Sequence, residues 1–184
     1  MKSEAHKNGL WHRGVHVWIY NAEKGLLIQK RASDKNLHPD LWDISVAGHV
    51  SAGETPEKSA VREISEEISL DINPEELELY KIRAVAKTKP DYYDNEFDYI
   101  YFLKYEGETS SLTLQQEEVQ EIKCIALDEL EKPTPSEVSG WIKENKDVQI
   151  NPRGVGLYAK RVYFHFYNQW VNGSQKRILK SISD

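Results

Sequence analysis

A single cysteine, Cys124, stands in 184 residues, so no disulfide can form within the chain, which suits a reducing compartment. Long apolar runs are also missing. None approaches the roughly 20 residues that a membrane-spanning helix requires. The opening stretch, MKSEAHKNGLWHRG, is polar and lacks the apolar core of a signal peptide. Together these shortages lead us to expect a cytoplasmic protein that neither crosses nor binds a membrane. An excess of basic charge is absent too: the formal net charge is −6, which weighs against a general nucleic-acid binder. Small anionic substrates stay open, because a bound divalent cation reverses the local sign. What is present is ordinary for a soluble globular chain, with 39% apolar and 29% charged residues. The length suits one domain with a sizeable core.

Hydrophobic patterning divides the chain. Residues 15–20 and 26–29 read as short strands joined by the turn-like stretch 21–25, which suggests a hairpin. Residues 37–41 form a loop around Pro39, and 42–50 look extended again. From Thr55 the period changes: Ala60, Val61, Ile64 and Ile68 recur at helical spacing, with Thr55 suited as N-cap and Pro56 to the first helical position. Strands are expected at 77–85, 97–105 and 120–127, with 87–95 a loop. Helical patterns follow at 138–146 and at roughly 156–171, the latter rich in aromatics. No internal repeat or low-complexity linker interrupts this. Mixed strands with a few helices imply a layered α/β arrangement.

The stretch GHVSAGETPEKSAVREISEEISL, residues 48–70, carries the chemistry. On a helix turning about 100° per residue, Glu63, Glu66 and Glu67 fall within an arc of about 100°, beside the apolar stripe. Like charges so placed repel by a few tenths of a kcal/mol per pair. Glutamates on a wet helix face are common. A hard divalent cation, however, would turn the repulsion into attraction, since Mg²⁺ favours oxygen ligands. The spacing decides between the two. Gly48, five residues, Glu54, seven residues, Arg62–Glu63, two residues, Glu66–Glu67 is a fixed-distance pattern. Its chance occurrence is on the order of 10⁻⁷ per starting position at background usage.

This stretch resembles the Nudix box, Gly-x5-Glu-x7-Arg-Glu-U-x-Glu-Glu-x-Gly-U, in which the bulky aliphatic positions U are Ile64 and Leu70. One position departs: the late glycine is Ser69, which either lengthens the helix or bends its exit. The resemblance covers the 23 residues of the box and, by the placing of strands, extends from 14 to 130. It implies a Nudix α/β/α sandwich with a mixed β-sheet, here followed by C-terminal helices over 135–184 within a single domain. It further implies hydrolysis of a diphosphate linked to another moiety X. Glu63, Glu66 and Glu67 would hold Mg²⁺, or Mn²⁺ in its place, with the Gly48 carbonyl as a further ligand. Arg62 and Glu54 would brace the loop and helix. Glu63, or else Glu117 or Glu118 before the last strand, would be the general base. For Glu117 and Glu118 an exposed acidic turn is the plainer reading.

A second resemblance is to isopentenyl-diphosphate isomerase, itself of Nudix fold, through LWHRGVHVWIYN, QKRASDKNLHPDLWDISVAGH and DNEFD. It implies a second metal site from His12, His49, Asp94 and Glu96, with His6 in less certain register, and diphosphate contacts from Arg31 and Lys35. Ordinary readings stand beside these: His12 and His16 as packing or surface residues, Asp94–Asn95 as a turn cap, and Arg31 and Lys35 as basic residues after a strand. Tyr92 and Tyr93 suit stacking on a ring, or a turn. His49 and Tyr92 join Arg31 and Lys35 as expected substrate contacts. The isomerases need a cysteine where this chain has Ala47, and alanine cannot move a proton. Cys124 reads as core packing. The intact box favours hydrolysis over isomerisation, and over a non-catalytic nucleotide-binding module. The expected partner is a small diphosphate compound, and the family resemblance makes a homodimer an expectation.

Overall fold

A strand buried on both sides over residues 14–19 and a helical stripe over 60–68 build the fold. The computed structural model describes residues 2–35, 39–89 and 92–126. The helices expected at 138–146 and 156–171 lie outside them, as does the side chain of Tyr92. In chain order the elements are α1 (Lys2–Asn8), β1 (His12–Asn21), β2 (Gly25–Arg31), β3 (Trp42–Asp43), β4 (Val46–His49), α2 (Pro56–Ile68), β5 (Glu78–Lys89), β6 (Tyr92–Lys104) and β7 (Val119–Ile125).

The seven strands make one mixed sheet in the order β3-β2-β1-β6-β5, with β4 added to β1 and β7 to β2. Only β1 and β6 run parallel; the other pairs are antiparallel. The β1–β2 turn is built by Asn21, whose Oδ1 accepts the backbone N–H groups of Glu23 and Lys24 at 2.9 Å each.

Val15, Val17, Ile19, Val46, Tyr101 and Leu103 point to one face of this sheet, where Ala60, Ile64 and Ile68 of α2 close the core. Val61, expected in the same stripe, is only partly covered. Cys124 lies half-buried in β7 against this core. Thr55 caps α2 by accepting from the Lys58 amide, with Pro56 in the first turn. The helix ends at Ile68, and Ser69 takes the left-handed conformation itself, at φ 52° and ψ 39°. The helix is therefore not lengthened: serine adopts the exit that glycine would take without steric cost.

Two further expectations are corrected. Residues 87–89 and 92–95 lie in strands and not in a loop: Lys87 pairs with Asp94, Thr88 with Tyr93 and Lys89 with Tyr92, so β5 and β6 form a long antiparallel pair. Asp94 and Asn95 thus belong to a strand rather than a turn cap. The polar composition misled the reading, because a strand is recognised in sequence by apolar alternation and this segment has little. The extended run 42–50 is in fact two strands, broken at Ile44–Ser45, where the Ser45 hydroxyl accepts the Ile19 amide at 2.8 Å. Replacing Ser69 by glycine should relieve the left-handed residue and raise stability by about 0.5–1 kcal/mol. Urea unfolding of the two proteins would measure it, and an unchanged or lowered midpoint would count against a strained helix exit.

Candidate functional site

The Nudix-like box folds as its spacing suggests, and Gly48 is the reason. Gly48 sits on β4 opposite Val15, on the core-facing side of the sheet. A Cβ there would lie 2.1 Å from the carboxyl carbon of Glu63. Only a residue without a side chain lets the helix carboxylate come this close.

Arg62 organises the outer part of the cluster. Its guanidinium reaches Glu63 and Glu66 at 2.9 Å each, Glu54 at 3.5 Å, and the His49 carbonyl at 3.2 Å. Glu54 is tied in turn by the Ser59 hydroxyl at 2.6 Å, and its carboxyl is held below the ordinary range by that bond and by Arg62. Glu66 remains half in solvent, 51% exposed.

Glu67 behaves differently. The helix reading put it beside the apolar stripe with its neighbours, and only 4% of it is accessible. It accepts a hydrogen bond from the Gln29 amide of β2 at 3.1 Å. Burial, then the negative charge of Glu63, push its pKa up to about 8. Burial likewise raises Glu63, against the pull of Arg62. Glu118, in the turn before β7, adds negative charge to both. Its backbone carbonyl accepts from Ala32, while the Gln115 amide bonds the Glu67 carbonyl at 3.0 Å, so the turn is pinned to the helix end. Glu117 next to it is exposed. Lys35 pairs with Glu118, and Arg31 reaches Asp43 at 3.4 Å. Gln29 was not anticipated; a glutamine in a strand leaves no sequence signal of what it faces.

A second cluster occupies the other face. Side chains alternate along strands, so if Gly48 faces α2, then His49 and Ala47 face away from it. Their partners across β1 are Gly14 and His16. In the parallel register His12 pairs with Glu96 and Gly14 with Asp98. Gly14 is therefore the floor of a dent ringed by His12, His16, Ala47, His49, Glu96 and Asp98. A Cβ at Gly14 would lie 2.1 Å from Glu96 Oε1 and 3.4 Å from Asp98 Oδ1.

Glu96 Oε1 lies 4.0 Å from His12 Nε2 and 3.7 Å from His49 Nε2. The His12 and His49 rings stack at 5.3 Å, and His6 of α1 approaches His12 edge-on at 4.7 Å. His6 Nδ1 also contacts the Tyr93 carbonyl at 2.8 Å, which secures α1 to β6. Among the described residues, the ligand atoms of His6, His12 and His49, and those of His12, Asp94 and Glu96, lie within 4.8 Å of one another. His12 Nε2 is buried without a hydrogen-bond partner among the described residues. Converging imidazoles and carboxylates with such an orphan atom fit a divalent cation of intermediate softness. The four residues expected to form a second metal site are thus brought together, with His6 added to them.

A NUDIX-domain family model matches residues 10–144. The chain belongs to the Nudix hydrolase family. A Nudix hydrolase of Clostridium acetobutylicum, itself uncharacterised, is 34% identical over 151 residues, spanning 78% of this chain and 70% of that protein. Nudix hydrolase 3 of Arabidopsis thaliana is 35% identical over 133 residues, 70% of this chain, although the chain spans only 17% of that relative's length. Isopentenyl-diphosphate Delta-isomerase 2 of Photorhabdus laumondii is 26% identical over 146 residues, 78% of this chain and 80% of its own. Both resemblances read from the sequence are therefore present among its relatives. The Nudix fold is shared with a crystal structure from Deinococcus radiodurans, at TM-score 0.56 and 20% identity over 83% of each chain. It is also shared with the Nudix domain of Shewanella oneidensis NrtR, solved with ADP ribose, at TM-score 0.52 and 14% identity over 74% of this chain and 87% of that one. Among the described residues no helix is long and apolar enough to cross a membrane.

The raised pKa of Glu67 gives this Nudix chain a pH signature. In the unfolded chain the group titrates near 4.5, in the folded one near 8. Its contribution to stability is fully present below the lower value and is lost as pH rises through the upper one. Metal-free protein should therefore lose stability between about pH 5 and pH 8, and Glu67→Gln should flatten that slope. Urea midpoints in chelator across this range test it; equal slopes in both proteins would refute the buried-carboxyl assignment.

Proposed function

We propose that this chain is a divalent-cation-dependent Nudix hydrolase that cleaves the diphosphate linkage of a small molecule, of the kind in which a nucleoside diphosphate is joined to another moiety. The observation that carries the reading is the buried carboxyl of Glu67 beside Glu63 and within the field of Glu118. A carboxyl buried among other acids is costly to ionise unless a cation joins it. Glu63, Glu66 and Glu67, with the Gly48 carbonyl as a further ligand, would hold Mg²⁺ or Mn²⁺. When bound, such an ion neutralises charge on the diphosphate oxygens and makes water a stronger acid.

The chain's own residues supply the rest. Arg62 keeps Glu63 and Glu66 on one side of α2 and ties them to the His49 carbonyl, so the helix and the end of β4 keep a constant separation. Gln29 orients Glu67. Glu63 or Glu118 takes the proton from the attacking water. Arg31 and Lys35 leave Asp43 and Glu118 to contact the diphosphate, and their release frees Glu118 for that role. Loss of the leaving phosphate then needs charge stabilisation more than covalent help from the protein. The histidine-face cluster of His12, His49, Asp94 and Glu96 would take a second cation.

The isomerase reading is less favoured, because Ala47 offers neither acid nor base at the dent. A binding module without turnover is less favoured because no box carboxylate is replaced.

Assay of nucleotide, sugar and isoprenoid diphosphates with and without Mg²⁺ decides among them. Cation-dependent release of phosphorylated products supports hydrolysis, interconversion of the two five-carbon isoprenyl diphosphates would establish an isomerase, and tight binding without turnover a sensor. Glu63→Gln and Glu67→Gln should each lower hydrolysis by roughly 10²-fold or more while circular dichroism stays native; a fully active Glu67→Gln enzyme sinks the metal assignment. Gly48→Ala should keep the fold, because the atoms it meets end a flexible side chain, yet reduce activity about 10–100-fold by displacing Glu63.

A further inference from the structure

Gln29 sits in the middle of β2 at 3% exposure, on the face where its strand neighbour Leu27 joins the core beneath α2. Its backbone is held from both sides, because its register partners are Asp43 of β3 and Ile122 of β7. The side-chain Nε2 donates to Glu67 Oε2 at 3.1 Å. The other end of the same amide, Oε1, is buried with no hydrogen-bond partner among the described residues. An unpaired amide oxygen in the interior is unfavourable, and an apolar side chain would avoid it. Packing alone does not account for a glutamine here.

The nitrogen of the amide is explained by Glu67. Among the described residues, Gln29 is the side chain hydrogen-bonded to that carboxyl group. An apolar residue would leave a buried carboxylate without a donor, and lysine or arginine would cancel the charge that attracts a cation. A neutral amide gives one hydrogen bond and leaves the charge in place. The oxygen needs a different explanation. The planar amide fixes Oε1 beside Nε2, so it too lies next to the carboxyl group of Glu67. Glu63 and Glu118 bring further negative charge to Glu67. Ionised carboxylates cannot serve Oε1, since they only accept hydrogen bonds. Water can, and Mg²⁺ bound by carboxylates keeps several of its waters.

We propose that Gln29 belongs to the cation centre: its Nε2 holds the Glu67 carboxylate, and its Oε1 accepts a hydrogen bond from water carried by the ion. Gln29 is a positioning residue, acting on the cation through Glu67 and through water. The proposal rests on the reading that Glu63, Glu66 and Glu67 bind a divalent cation, and does not depend on which diphosphate is cleaved. Groups that orient a metal's ligands in this way govern its affinity even though they do not touch it.

The test measures metal binding by the full chain. Mn²⁺ affinity is read from the electron paramagnetic resonance signal of the free ion, in wild type and in Gln29→Met, which is of similar size and lacks the amide. Glu67→Gln identifies the binding step that belongs to this centre. In that step Gln29→Met should bind Mn²⁺ about 10–100-fold more weakly. A residue that only packs β2 against α2 would instead lower the urea midpoint in chelator and leave the Mn²⁺ affinity alone. The second readout needs only wild type: the side-chain amide of Gln29 is followed by carbon-13 and nitrogen-15 NMR as Mg²⁺ is added. Its carbonyl carbon should move downfield as Oε1 gains a donor. Should Gln29→Met fail to fold, Gln29→Asn, with its shorter reach, takes its place and should weaken Mn²⁺ binding as well. Wild-type affinity in the variant, or a carbonyl carbon unmoved at saturating Mg²⁺, overturns the proposal. If both readouts respond and no diphosphate compound is hydrolysed, the hydrolase reading falls and this one stands. Mg²⁺-dependent hydrolysis with both readouts silent leaves the hydrolase and removes Gln29 from its centre.

Discussion

At Gly48 the sheet and helix α2 approach so closely that one added carbon would lie 2.1 Å from the Glu63 carboxyl carbon. Both halves of the site depend on that approach. On the helix side it lets Glu63 reach the end of β4, where Arg62 joins it to Glu66, Glu54 and the His49 carbonyl. On the opposite side the pleat then turns His49 toward Gly14, because successive residues of a strand face opposite ways. Gly14 repeats the device, giving the space that a side chain would fill to Glu96 and Asp98. Two glycines thus create two polar recesses on the two faces of one strand pair.

The two recesses differ in electrostatic character. Around α2 the acids are unequal: Glu66 stays half in water on Arg62, whereas Glu67 is buried and its ionisation is suppressed. The environment therefore sorts three chemically alike glutamates into an outer one paired in water, Glu66, a partly buried one paired with Arg62, Glu63, and an inner, protonatable one, Glu67. Across the sheet, imidazoles and carboxylates alternate around Gly14, and the buried Asp98 is balanced by Arg83. Relatives named as Nudix hydrolases and relatives named as isopentenyl-diphosphate isomerases both align with this chain, consistent with one sheet bearing both sets of residues.

Much of this was legible from residue order alone. The spacing from Gly48 to Glu67, the Thr55–Pro56 start and the stripe of Ala60, Ile64 and Ile68 specify a capped amphipathic helix with acids at its side, since these follow from the 3.6-residue period and the chemistry of caps. The family followed from the same 23 residues, and the strands at 15–20 and 26–29 from short apolar stretches on either side of the turn-like 21–25. The left-handed Ser69 and the pairing of 87–89 with 92–95 were not legible. Serine rarely adopts that conformation without tertiary support, and a strand segment of polar composition resembles a loop.

What residue order determined by itself was the local chemistry: which helix carries the carboxylates, where it starts, and that Ala47 brings no proton-transferring group. Tertiary structure alone decided which of those carboxylates is dry, that Gln29 of β2 holds it, and that Asp98 joins the recess where His12, His49 and Glu96, grouped already by the family resemblance, come together. The reason is physical. Periodicity is a property of neighbours along the chain, whereas desolvation and cross-strand register depend on residues that only folding brings together.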